Sequence, residues 1–308
     1  MLQRGNLCDI NFSNCQFINS EFSHDFGFPH VIDFCPNGKL LAVGDSNSEI
    51  TLWRISDGQS LKIKHDSPNW VRTLTFSPDG QFLASSSDET IKIFDINTLQ
   101  ISTILHGHKS RVRSVVFSAD GNFLASGGSD KEIRLWETRT WHCLSILKGH
   151  SSRITSLAFD SSINLLASGS YDKKIRIWDL KTNECLSIIE GHQGCINSIS
   201  FSPTSPVIAS SGSDKTIRLW NSNTYECFHI FEGHEKAVNS IVFSSDGKIM
   251  ASASHDTAIR IWSLENLRCI NILNGHKFGV TSICIDANSK VLASCGFDDI
   301  AVANCIKT

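Results

Sequence analysis

The sequence predicts an all-β protein made of one four-stranded unit that is repeated along the chain. The dipeptide Gly-His recurs five times at a constant spacing of 42 residues, and an aspartate and a tryptophan recur in the same phase. Between these markers lie short runs in which apolar and polar residues alternate, as half-buried strands require. A fixed period of this length indicates an array of one supersecondary unit. The Gly-His pairs begin at Gly107, Gly149, Gly191, Gly233 and Gly275.

Each unit is predicted to be an antiparallel meander of four strands. In one unit the runs VRSVVFS, NFLASG, EIRLWE and HCLSIL are separated by turn residues, and none of them has the period of a helix. Four units carry a glycine directly after Asn or Asp between the first two strands, where a tight hairpin needs positive φ. These pairs are Asn37-Gly38, Asp79-Gly80, Asp120-Gly121 and Asp246-Gly247.

With these features the chain resembles the WD-repeat β-propeller family. Gly-His stands early in the unit, Trp178-Asp179 ends a third strand, and the period lies in the family's range of about 40 to 45 residues. Weaker copies end at Trp53-Arg54 and Phe94-Asp95, and Asn304 holds the tryptophan position of the last unit. The resemblance implies a seven-bladed β-propeller of four-stranded antiparallel blades over residues 23–308.

The resemblance also implies how the ring closes. In this family each sequence unit supplies the outer strand of one blade and the three inner strands of the next, so one strand must come from the opposite terminus. The outer strand of the sixth blade is expected near Leu267 to Leu273, and its counterpart one period later falls beyond Thr308. We therefore expect the segment from Phe17 to Phe22 to supply the outer strand of the seventh blade, which also removes an exposed sheet edge.

Residues 1–22 carry a separate pattern, with an apolar residue at every fifth position: Leu2, Leu7, Phe12, Phe17 and Phe22. This spacing fits neither a strand nor a helix, and it resembles the pentapeptide-repeat β-helix. Either the segment serves only as the closing strand, or the chain is the end of a longer protein. The second alternative resembles the C-terminal part of bacterial WD-repeat signalling ATPases, although no GxxxxGK[ST] phosphate loop is present.

Composition narrows the functional classes. The 308 residues carry a net charge of -3 and no apolar run of 18 residues, so we expect no nucleic-acid partner and no membrane partner. We expect a cytoplasmic, monomeric propeller whose eleven cysteines are reduced. No Cys-x-x-Cys pair occurs, so we expect packed thiols, no metal and no cofactor. Four cysteines share one repeat position in the outer strand: Cys143, Cys185, Cys227 and Cys269.

Histidine, serine, aspartate and tryptophan recur together in four units. Ser, His and Asp suggest a hydrolase triad, whereas four equivalent copies with a tryptophan match the buried structural tetrad that the resemblance implies. We favour the structural interpretation, because an active site normally needs one asymmetric cleft, and we expect no catalytic residues. The tetrads are His108, Ser126, Asp130 and Trp136; His150, Ser168, Asp172 and Trp178; His192, Ser210, Asp214 and Trp220; and His234, Ser252, Asp256 and Trp262.

Partner binding is expected where the repeats differ. In the family, partners dock on the face that carries the loops between blades and the loops between the second and third strands. That face is expected to show arginines beside exposed aromatic residues, the types that dominate interface energies. Such an arc suits an acidic or phosphorylated segment of a protein or peptide. The predicted partner-binding residues are Trp70, Arg72, Arg111, Arg113, Arg153, Tyr171, His255 and Phe297.

The first functional hypothesis is a non-enzymatic protein-interaction scaffold that binds its partner on this face. A second is the sensor or autoinhibitory domain of a larger bacterial signalling ATPase, and a third is a purely architectural ring. An enzyme with its site in the central channel is disfavoured, because the sequence shows no off-phase cluster of carboxylates or histidines at channel-lining positions.

Overall fold

The structure, a computed structural model, describes residues 27–64, 69–160, 164–289, 291–298 and 302–305. In this part of the chain, 27 strands form seven antiparallel sheets, each with its strands in consecutive order. Six sheets have four strands and the last has three. The predicted propeller of four-stranded antiparallel blades is thus confirmed in six sheets, and the predicted closing strand lies outside the described residues. None of these residues forms a helix long and apolar enough to cross a bilayer.

The strands occupy four positions from the innermost to the outermost, and the last sheet contains the first three of them among the described residues. The first strands are β1 (Pro29–Phe34), β5 (Thr73–Phe76), β9 (Val112–Phe117), β13 (Ile154–Phe159), β17 (Ile196–Phe201), β21 (Val238–Phe243) and β25 (Val280–Ile285). The second strands are β2 (Leu40–Asp45), β6 (Phe82–Ser86), β10 (Phe123–Gly128), β14 (Leu165–Ser170), β18 (Val207–Gly212), β22 (Ile249–Ser254) and β26 (Val291–Gly296). The third strands are β3 (Glu49–Arg54), β7 (Ile91–Asp95), β11 (Glu132–Glu137), β15 (Ile175–Asp179), β19 (Ile217–Asn221), β23 (Ile259–Ser263) and β27 (Val302–Cys305). The fourth strands are β4 (Ser60–Lys64), β8 (Gln100–Leu105), β12 (Cys143–Lys148), β16 (Glu184–Ile189), β20 (Cys227–Phe231) and β24 (Arg268–Leu273).

The sheets form a closed ring around a central channel. Each first strand contacts the first strand of the next sheet, and β25 contacts β1. Each gap between neighbouring sheets holds a cluster of buried apolar side chains. Hydroxyls on the first strands add hydrogen bonds across these gaps: Ser114 Oγ accepts from Leu157 N at 3.1 Å, and Ser156 Oγ accepts from Ile199 N at 3.0 Å. Burial of apolar surface between blades therefore holds the ring together.

The hairpins between first and second strands have the predicted chemistry. All four glycines that follow Asn or Asp there have positive φ, for example 73° at Gly121. In that hairpin the Ser118 hydroxyl donates to Asp120 Oδ1 at 2.6 Å and accepts from Phe123 N at 2.9 Å. The prediction of these turns from the Asx-Gly pairs is confirmed.

A β-bulge near the start of the first strand places one extra residue at the inner end of the sheet. In the third sheet Gly127 pairs with Ser114 and Gly128 pairs with Val112, so Arg113 has no partner in the ladder. The same shift leaves His30, Thr155, Asn197, Asn239 and Thr281 unpaired in their sheets. A bulge re-aims the side chain of its extra residue, and these side chains converge at one end of the channel.

The expectation of packed cysteines in the outer strands is wrong in part. Cys143 and Cys227 are exposed, and Cys185 and Cys269 are half-buried. The reason is a register shift between the third and fourth strands: Trp136 pairs with Cys143 whereas Leu135 pairs with Ser145. This shift breaks the simple alternation of buried and exposed positions.

Candidate functional site

The first constellation is the hydrogen-bonded group of His150, Ser168, Asp172 and Trp178 in the fourth sheet. The Trp178 Nε1–H donates to Ser168 Oγ at 2.8 Å, Ser168 Oγ lies 2.7 Å from His150 Nε2, and His150 Nδ1 lies 2.8 Å from Asp172 Oδ2. The group joins the loop before the first strand to the second strand, the turn after it and the third strand.

The same network recurs in the third, fifth and sixth sheets. In each of them the tryptophan Nε1–H donates to the serine Oγ at 2.8 Å, and the histidine bonds that serine and an aspartate. The serines there are fully buried and the tryptophans are at most 3% exposed, so these side chains reach neither a substrate nor a partner. The serine and tryptophan pairs are Ser126 with Trp136, Ser210 with Trp220, and Ser252 with Trp262. Their histidine and aspartate pairs are His108 with Asp130, His192 with Asp214, and His234 with Asp256.

Electrostatics determine which group donates in the hydrogen bond between His150 and Asp172. Burial alone would raise the pKa of Asp172, but the hydrogen bond and charge of His150 and the Ser151 N–H lower that pKa to about 2. The carboxylate is therefore ionised at neutral pH, and His150 Nδ1–H donates to it. The tautomer with its proton on Nδ1 accepts at Nε2, so in that tautomer the Ser168 hydroxyl donates to His150 while it accepts from Trp178.

This arrangement has the Asp-His-Ser order of a hydrolase triad, but its serine is unsuited to attack a substrate. Ser168 is fully buried, and its oxygen accepts the hydrogen bond of Trp178. Ser126, Ser210 and Ser252 are closed off in the same way by burial and by their own tryptophans. A nucleophile must reach the substrate carbonyl. Burial and fourfold repetition together favour the structural interpretation of the tetrads.

The last and the second sheets lack parts of the tetrad. In the last sheet His276 lies 2.7 Å from Asp298 and 2.8 Å from Ser294, and Asn304 pairs with Leu292 where Trp136 pairs with Leu124 in the third sheet. In the second sheet Phe94 holds the tryptophan position, and Ser85 Oγ is buried without a partner among the described residues. The strength of this network therefore varies around the ring.

The second constellation lies at the mouth of the channel. One residue at the start of each first strand, or directly before it in the case of Arg72, lines a cavity of about 390 Å³ there. We call these seven residues the bulge ring: His30, Arg72, Arg113, Thr155, Asn197, Asn239 and Thr281. Tyr171, Ser213, His255 and Phe297, which each precede or occupy a turn after the second strand, complete the wall with Ala237. We call this cavity the channel mouth.

The bulge ring has two chemically distinct halves. In the fourth to seventh sheets its side chains are bonded to backbone carbonyls: Thr155 to Ile196 O, Asn197 to Val238 O at 2.9 Å, and Asn239 to Val280 O at 2.7 Å. Thr281 likewise donates to Cys295 O at 3.2 Å. In the first three sheets the ring carries His30, Arg72 and Arg113 instead. One half of the ring thus stabilises the propeller, and the other half presents a histidine and two cationic arginines to the cavity.

Aromatic rings border the cationic half. The Arg72 guanidinium lies 5.0 Å from the Trp70 ring centre, and Trp70 makes an edge contact with His30 at 5.6 Å. Phe297 lies 6.2 Å from His30 and stacks on His255 at 6.1 Å. On the other side the Arg153 guanidinium lies 3.4 Å from the Tyr171 ring centre, a cation–π contact. The structure thus brings seven of the eight predicted partner-binding residues to the channel mouth or its edge.

Arg111 is the predicted residue that lies apart from the cavity wall. Its Nε is 3.9 Å from Asp88 Oδ1, and its Nη2 donates to Asn69 Oδ1 at 3.2 Å. Arg113, two residues later, is re-aimed by the bulge into the cavity. Arg111 therefore belongs to the outer part of the same face.

Sequence reasoning misses His30, Thr155 and Thr281 as members of the bulge ring. His30 precedes the strongly repetitive part of the chain, so no Gly-His phase marks its position. The missing signal is the register of the first strand: aligning Phe34 with Phe76 and Phe117, the residues that end the first three of these strands, brings His30 level with Arg72 and Arg113. Three consecutive cationic or titratable residues then become visible at one repeat position.

The cations of the channel mouth face one another. Arg72, Arg113 and Arg153 form no ion pair with any carboxylate in the described part of the chain, and Arg153 Nε is buried without a hydrogen-bond acceptor there. Burial lowers the pKa of Arg113, and so do the charges of Arg153 and Arg72. Burial and the charge of Arg111 lower the pKa of Arg72. An anion bound here would relieve this repulsion.

His30 gives the channel mouth a measurable pH dependence. Burial, and then the charges of Arg72 and Arg113, lower its pKa from 6.5 to about 4. As pH falls below 6.5 the unfolded chain binds a proton first, so stability is lost progressively down to about pH 4. When pH is lowered from 7.5 to 5, the free energy of unfolding of the unchanged protein is expected to fall by on the order of 2 kcal/mol more than that of the His30→Gln variant. Urea denaturation at both pH values measures this, and equal losses would show that His30 titrates normally.

One carboxyl also lies on an innermost strand. Asp33 Oδ2 accepts from Phe76 N at 2.9 Å, across the gap between the first and second sheets. Burial raises its pKa to about 7, against the lowering effect of that hydrogen bond. The side chain stands where other sheets have Thr75 or Ala158, and its contact with the neighbouring strand gives it a role in joining two blades. Among the described residues, no group of three or more His, Cys, Asp or Glu side chains is arranged to hold a metal ion.

A closed ring of repeated four-stranded sheets around a channel defines a β-propeller. Six consecutive segments match the family model described as WD domain, G-beta repeat, and together they cover more than half of the chain. The protein therefore belongs to the WD domain, G-beta repeat family. The matched segments are 58–95, 99–137, 141–179, 183–221, 225–263 and 267–301. Each begins close to or within the fourth strand of one sheet and continues into the next sheet, and β1–β3 lie outside the matches.

Curated relatives share shorter stretches. The chain is 33% identical over 86 residues to small ribosomal subunit protein RACK1 of Glycine max, which covers 28% of this chain and 26% of that protein. It is 30% identical over 86 residues to the corresponding protein of Medicago sativa, with the same coverage. It is 39% identical over 72 residues to eukaryotic translation initiation factor 3 subunit I of Candida albicans, which covers 21% of this chain and 20% of that protein. The matched stretches thus span about a quarter or less of these relatives.

Proposed function

We propose that this propeller is a non-enzymatic protein-interaction scaffold and that its partner docks on the face containing the channel mouth. The observation that carries the proposal is the unpaired cationic half of that face: Arg72, Arg113 and Arg153 lie beside aromatic rings and have no carboxylate partner among the described residues. Arginine and aromatic side chains supply most of the binding energy in interfaces. The relatives support this proposal, since both names denote subunits of larger assemblies.

The partner is proposed to present an acidic or phosphorylated segment to this face. Guanidinium groups bind carboxylates and phosphates through two parallel hydrogen bonds. The tetrads and the apolar clusters hold the first strands in place, so the arginines are positioned before the partner arrives. Preorganisation of this kind lowers the entropic cost of association.

Charge reversal on the face tests the proposal. The variant Arg111→Glu/Arg153→Glu is expected to lose at least about tenfold in affinity for any protein that the unchanged propeller retains specifically, because attraction becomes repulsion. The matched control is Arg139→Glu/Lys181→Glu, which makes the same charge change at two exposed positions next to the turns between third and fourth strands, on the opposite face. Recovery from a lysate is compared by quantitative mass spectrometry at equal thermal stability. Equal recovery by both variants would count against this face as the docking site.

A further inference from the structure

We propose that the channel mouth holds one phosphoryl group, carried by a side chain of the docked partner and bound between Arg72 and Arg113. The inference rests on the proposed function, because it names the chemical group that the same face recognises. The anion is assigned to one cavity and to two arginines.

The arginines of the cavity have hydrogen-bond donors that no described acceptor uses. Arg113 donates through Nε to Ser129 Oγ at 2.7 Å, and no other acceptor among the described residues binds its guanidinium. Arg72 donates to no described acceptor at all. Each guanidinium has five N–H donors, so two forks of donors face a space that contains no described carboxylate. A bound anion with several acceptor oxygens would satisfy them.

The bulge ring is chemically asymmetric. At four of seven equivalent positions the side chain bonds a backbone carbonyl, as Asn197 does to Val238 O and Asn239 does to Val280 O. Thr, Asn and Arg all fit this bulge sterically, so the architecture does not require arginine there. Two half-buried arginines side by side cost the free protein both desolvation and mutual repulsion. A residue choice that costs stability without an internal partner indicates a ligand.

A phosphoryl group matches the charge of the cavity better than a carboxylate does. A phosphate monoester carries a charge of about -1.5 to -2 at pH 7 and presents three acceptor oxygens. That charge balances two guanidiniums, whereas a single carboxylate leaves one uncompensated. The cavity of about 390 Å³ is large enough for one phosphorylated side chain and too small for a folded segment. A longer acidic stretch would have to lie outside it, near Arg111 and Arg153.

The experiment uses degenerate peptide pools with one fixed central residue. The pools carry phosphoserine, phosphotyrosine, glutamate or serine, and binding to the purified propeller is measured by fluorescence anisotropy. At least one phosphorylated pool is expected to bind about tenfold or more tightly than the glutamate and serine pools. Inorganic phosphate at the same concentration is the control for a free anion, and it is expected to compete weakly because it lacks the peptide contacts. Equal affinity of all four pools would overturn the inference, as would inorganic phosphate competing as well as the peptides do.

Two variants connect the effect to the cavity. Arg72→Gln/Arg113→Gln is expected to abolish the preference for phosphorylated peptides, and Arg139→Gln/Arg268→Gln, a matched control at exposed arginines away from the channel, is expected to keep it. Arg113→Lys retains the charge but loses the forked donors, so it should weaken phosphopeptide binding several-fold even if the double variant folds poorly. A preserved preference in Arg113→Lys and in the double variant would overturn the assignment. If partners found by the charge-reversal experiment still bind while the pools show no preference, the docking face stands and only the phosphoryl site fails.

Discussion

Replacing Asp172 with alanine is expected to lower the free energy of unfolding by about 1–3 kcal/mol, the cost of leaving buried polar groups without partners. The carboxylate accepts hydrogen bonds from His150 Nδ1 at 2.8 Å and from Ser151 N at 2.9 Å. In the variant the buried His150 loses its acceptor, and the loop before β13 loses its attachment to the turn after β14. Urea denaturation at pH 7 measures the change.

The chain contains a matched control for this experiment. Asp88 is the equivalent residue in the second sheet, but its side chain is about half exposed and lies 3.9 Å from Arg111 Nε. Asp88→Ala should therefore cost less than about 0.5 kcal/mol, as exposed ion pairs usually do. If Asp172→Ala and Asp88→Ala cost the same, or if Asp172→Ala abolished partner binding without lowering stability, the structural role of the tetrad would be wrong.

Acid sensitivity gives a second measurement on the same residue. The pKa of Asp172 is lowered in the folded protein, so its contribution to stability is complete above its ordinary pKa of 3.8 and is lost as pH falls through about 2. Asp172→Ala should therefore lose less stability than the unchanged protein between pH 4 and pH 2. Parallel curves over this range would show that the carboxylate is not held by His150.

The parts of the fold that the sequence predicts are those in which one local requirement recurs. Gly121 is predictable because a hairpin of this type needs positive φ after Asp120, and the same pair returns in other units. The tetrads are predictable because buried donors and acceptors must be matched within each unit. The prediction that the outer-strand cysteines are packed is wrong in part, because the bulge beside Trp136 depends on pairing with a neighbouring strand. The alternation of apolar and polar residues along one strand does not reveal its register against the next strand.

The sequence predicts which face carries the candidate site, but it does not predict which side chains line the channel mouth. Arg111 and Arg113 are two residues apart and look equivalent in the sequence, yet one pairs with Asp88 and the other enters the channel mouth. The difference comes from the bulge, which reverses the direction of a side chain without any sign in composition. His30 is missed for the related reason that its sheet is the most divergent in the array. Register, more than residue type, decides which side chains meet at the channel mouth.

Deleting residues 1–22 is expected to destabilise the whole ring, because we propose that Phe17 to Phe22 form the fourth strand of the last sheet. In the other six sheets a fourth strand pairs with the third, whereas β27 is followed by no described partner. Loss of the closing strand would expose the outer edge of β27 and weaken the junction between the last sheet and the first. We expect the melting temperature to fall by on the order of 5 °C and the amides of Val302–Cys305 to lose protection in hydrogen exchange.

A shorter deletion separates ring closure from other roles of the N-terminal segment. Removing residues 1–16 leaves Phe17 to Phe22 in place, so it should preserve both the melting temperature and the protection of Val302–Cys305. The two deletions should differ most in their effect on the gap between β25 and β1. The buried cluster there joins Ile32 and Phe34 to Cys284 and Cys295, across the two ends of the chain. If both deletions destabilise the protein equally, residues 1–16 carry the effect. If neither deletion does, the packing of that cluster alone closes the ring.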